Sequence, residues 1–311
     1  MSPALVTGAA GFAGGHLVDL LIGDGIDIVA WQRPGGAVPS AAAARGRVRW
    51  EGVDLLDRSA VRAALDRTRP AAIYHCAGAA HVGRSWEHTE STLAVNVRGT
   101  HHVIEGLRDL RLEARVLVPS SAMVYRAADE PLREDHALAP ASPYALSKLA
   151  QELVGSGNPG GPHVMIARAF NHFGPRQDPG FVASAFARRI ADIEAGRWPP
   201  EIAVGNLESR RDLTDVRDTV RAYRSILERG SPGRPYNVCT GRAVAIHDLL
   251  DLMLSRATVP ITVRIDPARY RPNDLPLVLG DPGRIELELG WRAEIPLERT
   301  IDDLLAYWRN R

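Results

Sequence analysis

The chain has 311 residues, and its 38 Lys+Arg against 37 Asp+Glu leave a formal charge of +1, which excludes a nucleic-acid footprint carried by the chain as a whole. Hydrophobic residues make up 45% and charged residues 24%, the composition of a globular chain with a sizeable core in one large or two modest domains. Cys76 and Cys239 are the only cysteines, too few for a disulfide framework and in no metal-ligand spacing, and no apolar run reaches the roughly 20 residues of a membrane span, so a soluble, cytoplasmic, metal-free protein is expected.

Short apolar runs alternate with helical patterns through the first half. Strands are predicted at residues 4–6, 26–30, 48–50, 72–76, 116–118 and 164–167. Between them Leu17, Val18, Leu21 and Ile22 keep helical spacing, as do Val61 and Leu65, and Val95, Val103 and Leu107. This order is that of an α/β, doubly wound parallel sheet, a Rossmann domain over residues 1–170. The alanine run 41–44 reads as a loop. From 171 to 311 Pro and Gly punctuate the chain more often, with helices predicted at 181–195, 246–254 and 297–308. This half reads as a smaller substrate lobe, with some segments returning to the sheet.

Thr7-Gly8-Ala9-Ala10-Gly11-Phe12-Ala13-Gly14 follows the first strand and opens the first helix. Glycines here let the backbone turn tightly and approach a pyrophosphate, whose charge would rest on the unpaired N–H groups of the helix start. The second strand ends in Trp31-Gln32-Arg33, where an NAD site usually carries an acid; an arginine can instead pair with a 2'-phosphate, which favours NADP(H) while leaving NAD(H) possible. Asp54-Leu55, after the third strand, reads either as an adenine contact or as a simple turn.

Ser121 lies just beyond the fifth strand, at the carboxyl edge where such sheets place their ligands, and its hydroxyl can steady a reacting oxygen. Tyr144 and Lys148 follow Ser142-Pro143 and stand four residues apart on one face of a predicted helix. An ammonium beside the phenol is expected to favour the phenolate and bring its pKa down from about 10, allowing proton exchange with a substrate oxygen. Lys148 is the only lysine in the chain, every other such cation being arginine, and an arginine fork would not reproduce its shape or hydrogen bonding.

The glycine turn, Ser121, Tyr144 and Lys148, in this order and spacing, resemble the extended short-chain dehydrogenase/reductases that act on nucleotide sugars. The segments 80–85, Asn96, 168–172, 204–212 and 271–274 are similar to the branch of GDP-mannose 4,6-dehydratases and GDP-4-keto-6-deoxy-D-mannose reductases, the stretch from Gly205-Asn206-Leu207 to Asp215 being the most branch-specific. The resemblance implies that Ser121, Tyr144 and Lys148 are catalytic. It places the dinucleotide on Gly8, Gly11, Phe12, Ala13, Gly14, Arg33, Asp54, Leu55 and Ala77 together with Tyr144 and Lys148. Ser85, Asn171, Arg211, Arg271 and Asp274 are then expected to hold a GDP-sugar, the two arginines on its diphosphate. A homodimer is expected from the same resemblance.

Departures from the family pattern select among reactions. Dehydratases of the family carry an acid-base pair directly after the serine, whereas this chain has Ala122-Met123, which cannot move a proton. Related epimerase-reductases use a Cys near that serine and a His after the asparagine stretch; Met123 and Arg176 occupy those places. The family's glycine after Val-Tyr is Arg126 here. What is left is NADPH-dependent reduction of the 4-keto group of a GDP-4-keto-6-deoxyhexose, with GDP-D-rhamnose as the expected product; the sequence leaves open its 4-epimer, the 6-deoxytalose, and a UDP or dTDP sugar in place of the GDP sugar. The alternatives are a C4-epimerase that keeps NAD bound, against which Arg33 argues, and a non-catalytic NADP-binding sensor, a class that tends to lose the tyrosine-lysine pair.

Overall fold

Successive residues of the central strands pack on opposite faces of one sheet. Val6 and Leu117 join a core with Leu17, Val18 and Leu21, while Leu5, Val116 and Val118 join another with Val61, Leu65, Val103 and Leu107. A strand buried on both faces reads as an unbroken apolar run, which is how the sequence presents it. The structure is a computed structural model that describes residues 2–37, 46–156, 161–270 and 275–311; the alanine run 41–44 lies outside them.

The strands in chain order are β1 (Ala4–Thr7), β2 (Ile28–Gln32), β3 (Val48–Gly52), β4 (Ala72–His75), β5 (Arg115–Ser121), β6 (His163–Ala169), β7 (Asn171–Phe173), β8 (Glu201–Val204), β9 (Arg210–Asp215), β10 (Pro235–Val238), β11 (Ala243–Ala245), β12 (Thr262–Ile265) and β13 (Leu277–Val278). Seven form a sheet of order β10-β6-β5-β4-β1-β2-β3, and every pairing in it is parallel. This is the doubly wound α/β architecture that the sequence predicts. The strand order reverses at β1, which lies between β2 and β4, so a crevice opens beyond the carboxyl ends of β1 and β4.

The second strand begins later than the periodicity suggests. Ile26 N–H donates to Leu21 O and Gly25 N–H to Ile22 O, with Gly25 at φ +74°, so residue 26 still closes the helix Phe12–Gly23.

The second half of the chain contributes to both regions. The helix Val216–Arg229, absent from the sequence expectations, lays Val220, Tyr223, Ile226 and Leu227 on the sheet face that also buries Leu17 and Leu21. β10 then pairs with β6 as the outermost strand. The remaining elements form a lobe in which β9 is flanked by β7, β11 and β13, β12 pairs with β8, and the helices Val182–Glu194, Ile246–Leu254 and Leu297–Arg309 bury Phe186, Ile190, Leu249, Leu250, Ile301 and Leu305. Among the described residues no helix is long and apolar enough to cross a membrane, and no group of three or more His, Cys, Asp or Glu could hold a metal ion.

Candidate active site

The glycine turn sits at the switch point. Gly8 has φ +63°, and a Cβ there would lie 2.6 Å from Ala77 Cα; at Gly14 it would lie 2.2 Å from Gly8 O. Both positions therefore exclude any larger residue, one by conformation and contact, the other by the close approach of helix and turn. The helix Phe12–Gly23 starts at Gly11 with no side-chain cap, leaving the first N–H groups, those of Phe12, Ala13 and Gly14 among them, to an external acceptor. Thr7 Oγ1 accepts from Ala77 N–H at 3.2 Å, tying the end of β1 to the loop after β4. This cradle of bare backbone and uncapped N–H groups fits the pyrophosphate of a dinucleotide.

Arg33 is exposed directly after β2, in a turn closed by Gly36 N–H on Arg33 O at 3.0 Å. Asp54 caps its own turn, accepting from Leu56 N–H at 2.9 Å, so its carboxylate follows the simple-turn reading. Leu55 packs against Gly99, and its carbonyl accepts from His102 Nδ1 at 2.8 Å.

Ser121 ends β5, and Tyr144 and Lys148 come from the helix Pro143–Ser156, which starts with Ser142 Oγ accepting from Ala145 N–H and with proline in its first turn. The Ser121 hydroxyl lies beside the Tyr144 phenol and favours its ionised form. Lys148 is buried, its ammonium 5.9 Å from the Tyr144 ring centroid and donating to Pro119 O at 2.9 Å. This corrects the electrostatic expectation. Burial pushes the Tyr144 phenol above its ordinary value, and the Ser121 hydroxyl pulls only partly the other way. Burial instead lowers Lys148 to about 8, against the opposing influence of Cys76 and Glu152. At this separation the cost of burying charge exceeds what the ammonium returns to the phenol.

The sequence reading underrated the groups that hold this helix. Around Asn96 the chain forms a π-helical turn, Ala94–Arg98. The wholly buried Asn96 side chain accepts from Ala79 N–H at 2.7 Å and donates to Ala79 O at 3.1 Å and to Ser147 Oγ at 2.8 Å. Next to it, His75 bridges Thr7 Oγ1 at 2.9 Å and Thr100 Oγ1 at 3.0 Å, and burial lowers its pKa to about 3, so it works as a neutral link. On the other side of the helix Glu152 forms a buried bidentate pair with Arg168 of β6, at 2.8 and 3.0 Å. Asn96, within a continuous helical stretch and similar to the family branch, and Glu152, within the next helix, carry no spacing signal of their own; their tertiary neighbours show their role.

The substrate side is less gathered. Ser85 is buried, its hydroxyl donating to Val82 O at 2.6 Å and accepting from Tyr144 N–H at 3.2 Å, so it anchors the tyrosine's backbone. Asn171, exposed, opens β7, which continues directly from β6 and runs parallel to β9, where Arg211 lies two register positions from the partner of Asn171. Arg211 Nη1 donates to Arg210 O. Arg271 and Asp274 lie outside the described residues. Phe12 and His172 stack nearly parallel with centroids 5.8 Å apart, joining the glycine turn to the start of the lobe.

Neither alternative acid-base apparatus is present. Ala122 and Met123 follow Ser121 in a short 3-10 turn, and Arg176 is directed to the first helix, with Nη2 2.8 Å from Asp19 Oδ2 and Nε on His16. Arg126 is exposed beyond Tyr125.

A family model described as GDP-mannose 4,6 dehydratase matches residues 5–304. The GDP-6-deoxy-D-mannose reductase of Pseudomonas aeruginosa is 34% identical over 247 residues, covering 78% of this chain and 81% of its own. A GDP-mannose 4,6-dehydratase of Yersinia enterocolitica is 26% identical over 356 residues, covering 98% and 93%. Among solved structures, RMD from Pseudomonas aeruginosa complexed with NADPH is similar with a TM-score of 0.85 at 29% identity, covering 100% of this chain and 99% of that one. The UDP-glucose 4-epimerase of Thermus thermophilus, complexed with NAD, gives 0.85 at 26% identity and 99% of both chains. The resemblance read from the motifs and the family found by comparison coincide: this chain belongs to the GDP-mannose 4,6-dehydratase family.

Proposed function

We propose that the protein is an NADPH-dependent reductase of the 4-keto group of a GDP-4-keto-6-deoxyhexose. The observation that carries this reading is a serine-tyrosine-lysine set in which Ser121 is followed by Ala122 and Met123, neither able to move a proton, in a chain 34% identical to a GDP-6-deoxy-D-mannose reductase. When bound, the nicotinamide supplies the hydride that C4 receives. Tyr144 gives its phenolic proton to the C4 oxygen, so that ketone, hydride and proton sum to an alcohol. For reduction the phenol must arrive protonated, and its burial keeps it so near neutrality. Ser121, beside the phenol, steadies the same oxygen as charge develops. Lys148 supplies positive charge at the cofactor side of the site and returns a proton toward the spent phenolate.

The dinucleotide rests on Gly8, Gly11, Phe12, Ala13, Gly14 and Ala77, with Arg33 taking the 2'-phosphate of NADP(H). Asn171 and Arg211 hold the sugar nucleotide. The product is GDP-D-rhamnose. The protein acts as a homodimer in the cytoplasm; exposed Leu146 and Leu153, seven residues apart on the outer face of the helix Pro143–Ser156, support the pairing.

The test is NADPH consumption by the purified protein with GDP-4-keto-6-deoxymannose, beside the UDP and dTDP 4-keto-6-deoxy sugars, followed by NMR of the product. Selective turnover of the GDP sugar to rhamnose is expected. No net NADPH consumption with any of them, together with NAD retained through purification, would replace the reductase by a C4-epimerase.

A further inference from the structure

The rings of His81 and Phe181 stack with their centroids 4.3 Å apart and their planes 22° from parallel. They come from the two halves of the molecule. His81 lies in the loop after β4, at the carboxyl edge where the crevice opens, and Phe181 directly precedes the helix Val182–Glu194, whose Phe186 and Ile190 are buried in the core of the substrate lobe. Asp178 Oδ1 stands 3.7 Å from His81 Nε2 and accepts from Gly180 N–H at 2.7 Å, so the imidazole meets a phenyl ring on its face and a carboxylate at its edge. Both rings are only partly buried. The pair therefore adds modestly to folding, and what it fixes is the place of the loop relative to the lobe.

Short links join each ring to a residue of the site. His81 O accepts from Ser85 N–H at 3.1 Å, and Ser85 Oγ accepts from Tyr144 N–H at 3.2 Å. On the lobe side Phe181 N–H donates to Asp178 O at 3.1 Å, and the adjoining Gln177 donates through Nε2 to His172 O at 2.9 Å, next to Asn171. A continuous set of contacts thus runs from the backbone of the proton donor, across the stack, to the strand that Asn171 opens. Gly180 keeps the space beside it: a Cβ there would lie 2.9 Å from His81 Cε1 and 2.8 Å from Asp178 Oδ1, both ends of side chains that can move. A larger residue would displace the imidazole rather than the backbone.

We infer that His81 and Phe181 are positioning residues: their stack clasps the loop after β4 to the substrate lobe and so sets the distance and angle at which Tyr144 meets a sugar nucleotide held by that lobe. The inference rests on the reductase reading above. The pair acts through Ser85 on one side and through Gln177 and His172 on the other. A misplacement of about 1 Å at the reacting groups can lower a rate about a hundredfold, so a clasp outside the chemistry can still govern turnover.

The test measures kcat and KM for GDP-4-keto-6-deoxymannose at saturating NADPH, with sites counted by NADPH binding, in the full-length parent, Phe181→Ala, His81→Ala, the double variant, Phe181→Tyr and Gly180→Ala. In Phe181→Ala kcat should fall about ten- to a hundredfold, while the stoichiometry and affinity of NADPH hold. Phe181→Tyr, which keeps the ring, should stay near the parental rate, and Gly180→Ala, which alters neither ring, should lose about as much as Phe181→Ala. The double variant should be no slower than the slower single one, since either change breaks the same stack. Parental kcat in Phe181→Ala or in Gly180→Ala would overturn the clasp, as would single losses that multiply in the double variant, or a Phe181→Tyr as slow as Phe181→Ala. Should Phe181→Ala fail to fold, Gly180→Ala and Phe181→Tyr carry the same comparison. Those outcomes leave the reductase reading standing. A parent that consumes NADPH with none of the GDP, UDP and dTDP 4-keto-6-deoxy sugars would remove that reading, and the inference with it.

Discussion

Asn96 Nδ2 donates to Ser147 Oγ at 2.8 Å, and Ser147 Oγ in turn donates to Tyr144 O at 2.7 Å. One buried amide therefore fixes both the loop after β4, through Ala79, and the helix that carries Tyr144 and Lys148. Asn96→Ala leaves both Ala79 backbone groups without their partner. A stability loss of about 1–3 kcal/mol is expected in urea unfolding, with a fall in kcat of about tenfold or more from misplacement of the tyrosine. Asn96→Ala with parental kcat would show that the helix keeps its position without this link.

Tyr144→Phe removes the proton donor and little else. NADPH binding, read by fluorescence, should stay near the parental value, while kcat falls by at least about a hundredfold. Retained turnover would take Tyr144 out of the mechanism.

Lys148 gives a pH signature. Its folded value, about 8, lies below the ordinary 10.5, so between these two values the unfolded chain holds a proton that the folded one does not. The penalty for burying the charge is present in full below about 8 and is relieved as pH rises toward 10.5. Lys148→Met should accordingly be more stable than the parent near neutrality, with the difference shrinking at alkaline pH. Activity of the parent should decline as pH rises through about 8, where the ammonium is lost. Equal stability of the two proteins at neutral pH would refute the burial cost.

The Arg168–Glu152 pair is buried on both sides, and Arg168 also donates to Tyr125 Oη at 3.1 Å. Arg168→Met alone strands the carboxylate and should cost about 3–5 kcal/mol, whereas the double variant Arg168→Met, Glu152→Leu should recover much of it. Thermal unfolding of the single and double variants makes the comparison, and equal losses in both would mean that the stranded charge is not the source.

Arg33→Ala should weaken NADPH binding by about tenfold or more through loss of a charge-assisted pair, and NADH binding much less. A parallel drop for both cofactors would show that Arg33 does not read the 2'-phosphate.

The sheet and its cofactor crevice were legible because their signals are local: apolar runs of strand length, a glycine turn after the first of them, and a tyrosine and lysine one helical turn apart. Helix Val216–Arg229 was missed although its apolar face is regular, because its six charged residues suggest a solvated segment until the packing partner, the first helix, is known. The state of Tyr144 was misjudged for a related reason. Spacing gives the direction of a side chain, but the 5.9 Å to the ammonium and the depth of burial come from how β5 and the helix pack. The stack of His81 on Phe181 had no sequence signal, since residues far apart in the chain meet only where the lobe packs beside the loop after β4.

The return of β10 and helix Val216–Arg229 to the sheet bears on how the chain can be cut. A fragment ending near residue 170 would lose its outermost strand and the cover over Leu17, Leu21 and Tyr74, exposing an edge and an apolar face together. Proteolysis or truncation between the halves should therefore yield aggregation rather than a free cofactor module. A destabilising change at Tyr223 or Tyr236 should also reach the core that lies beneath the cofactor turn, which they share with Val6, Ala9 and Leu17.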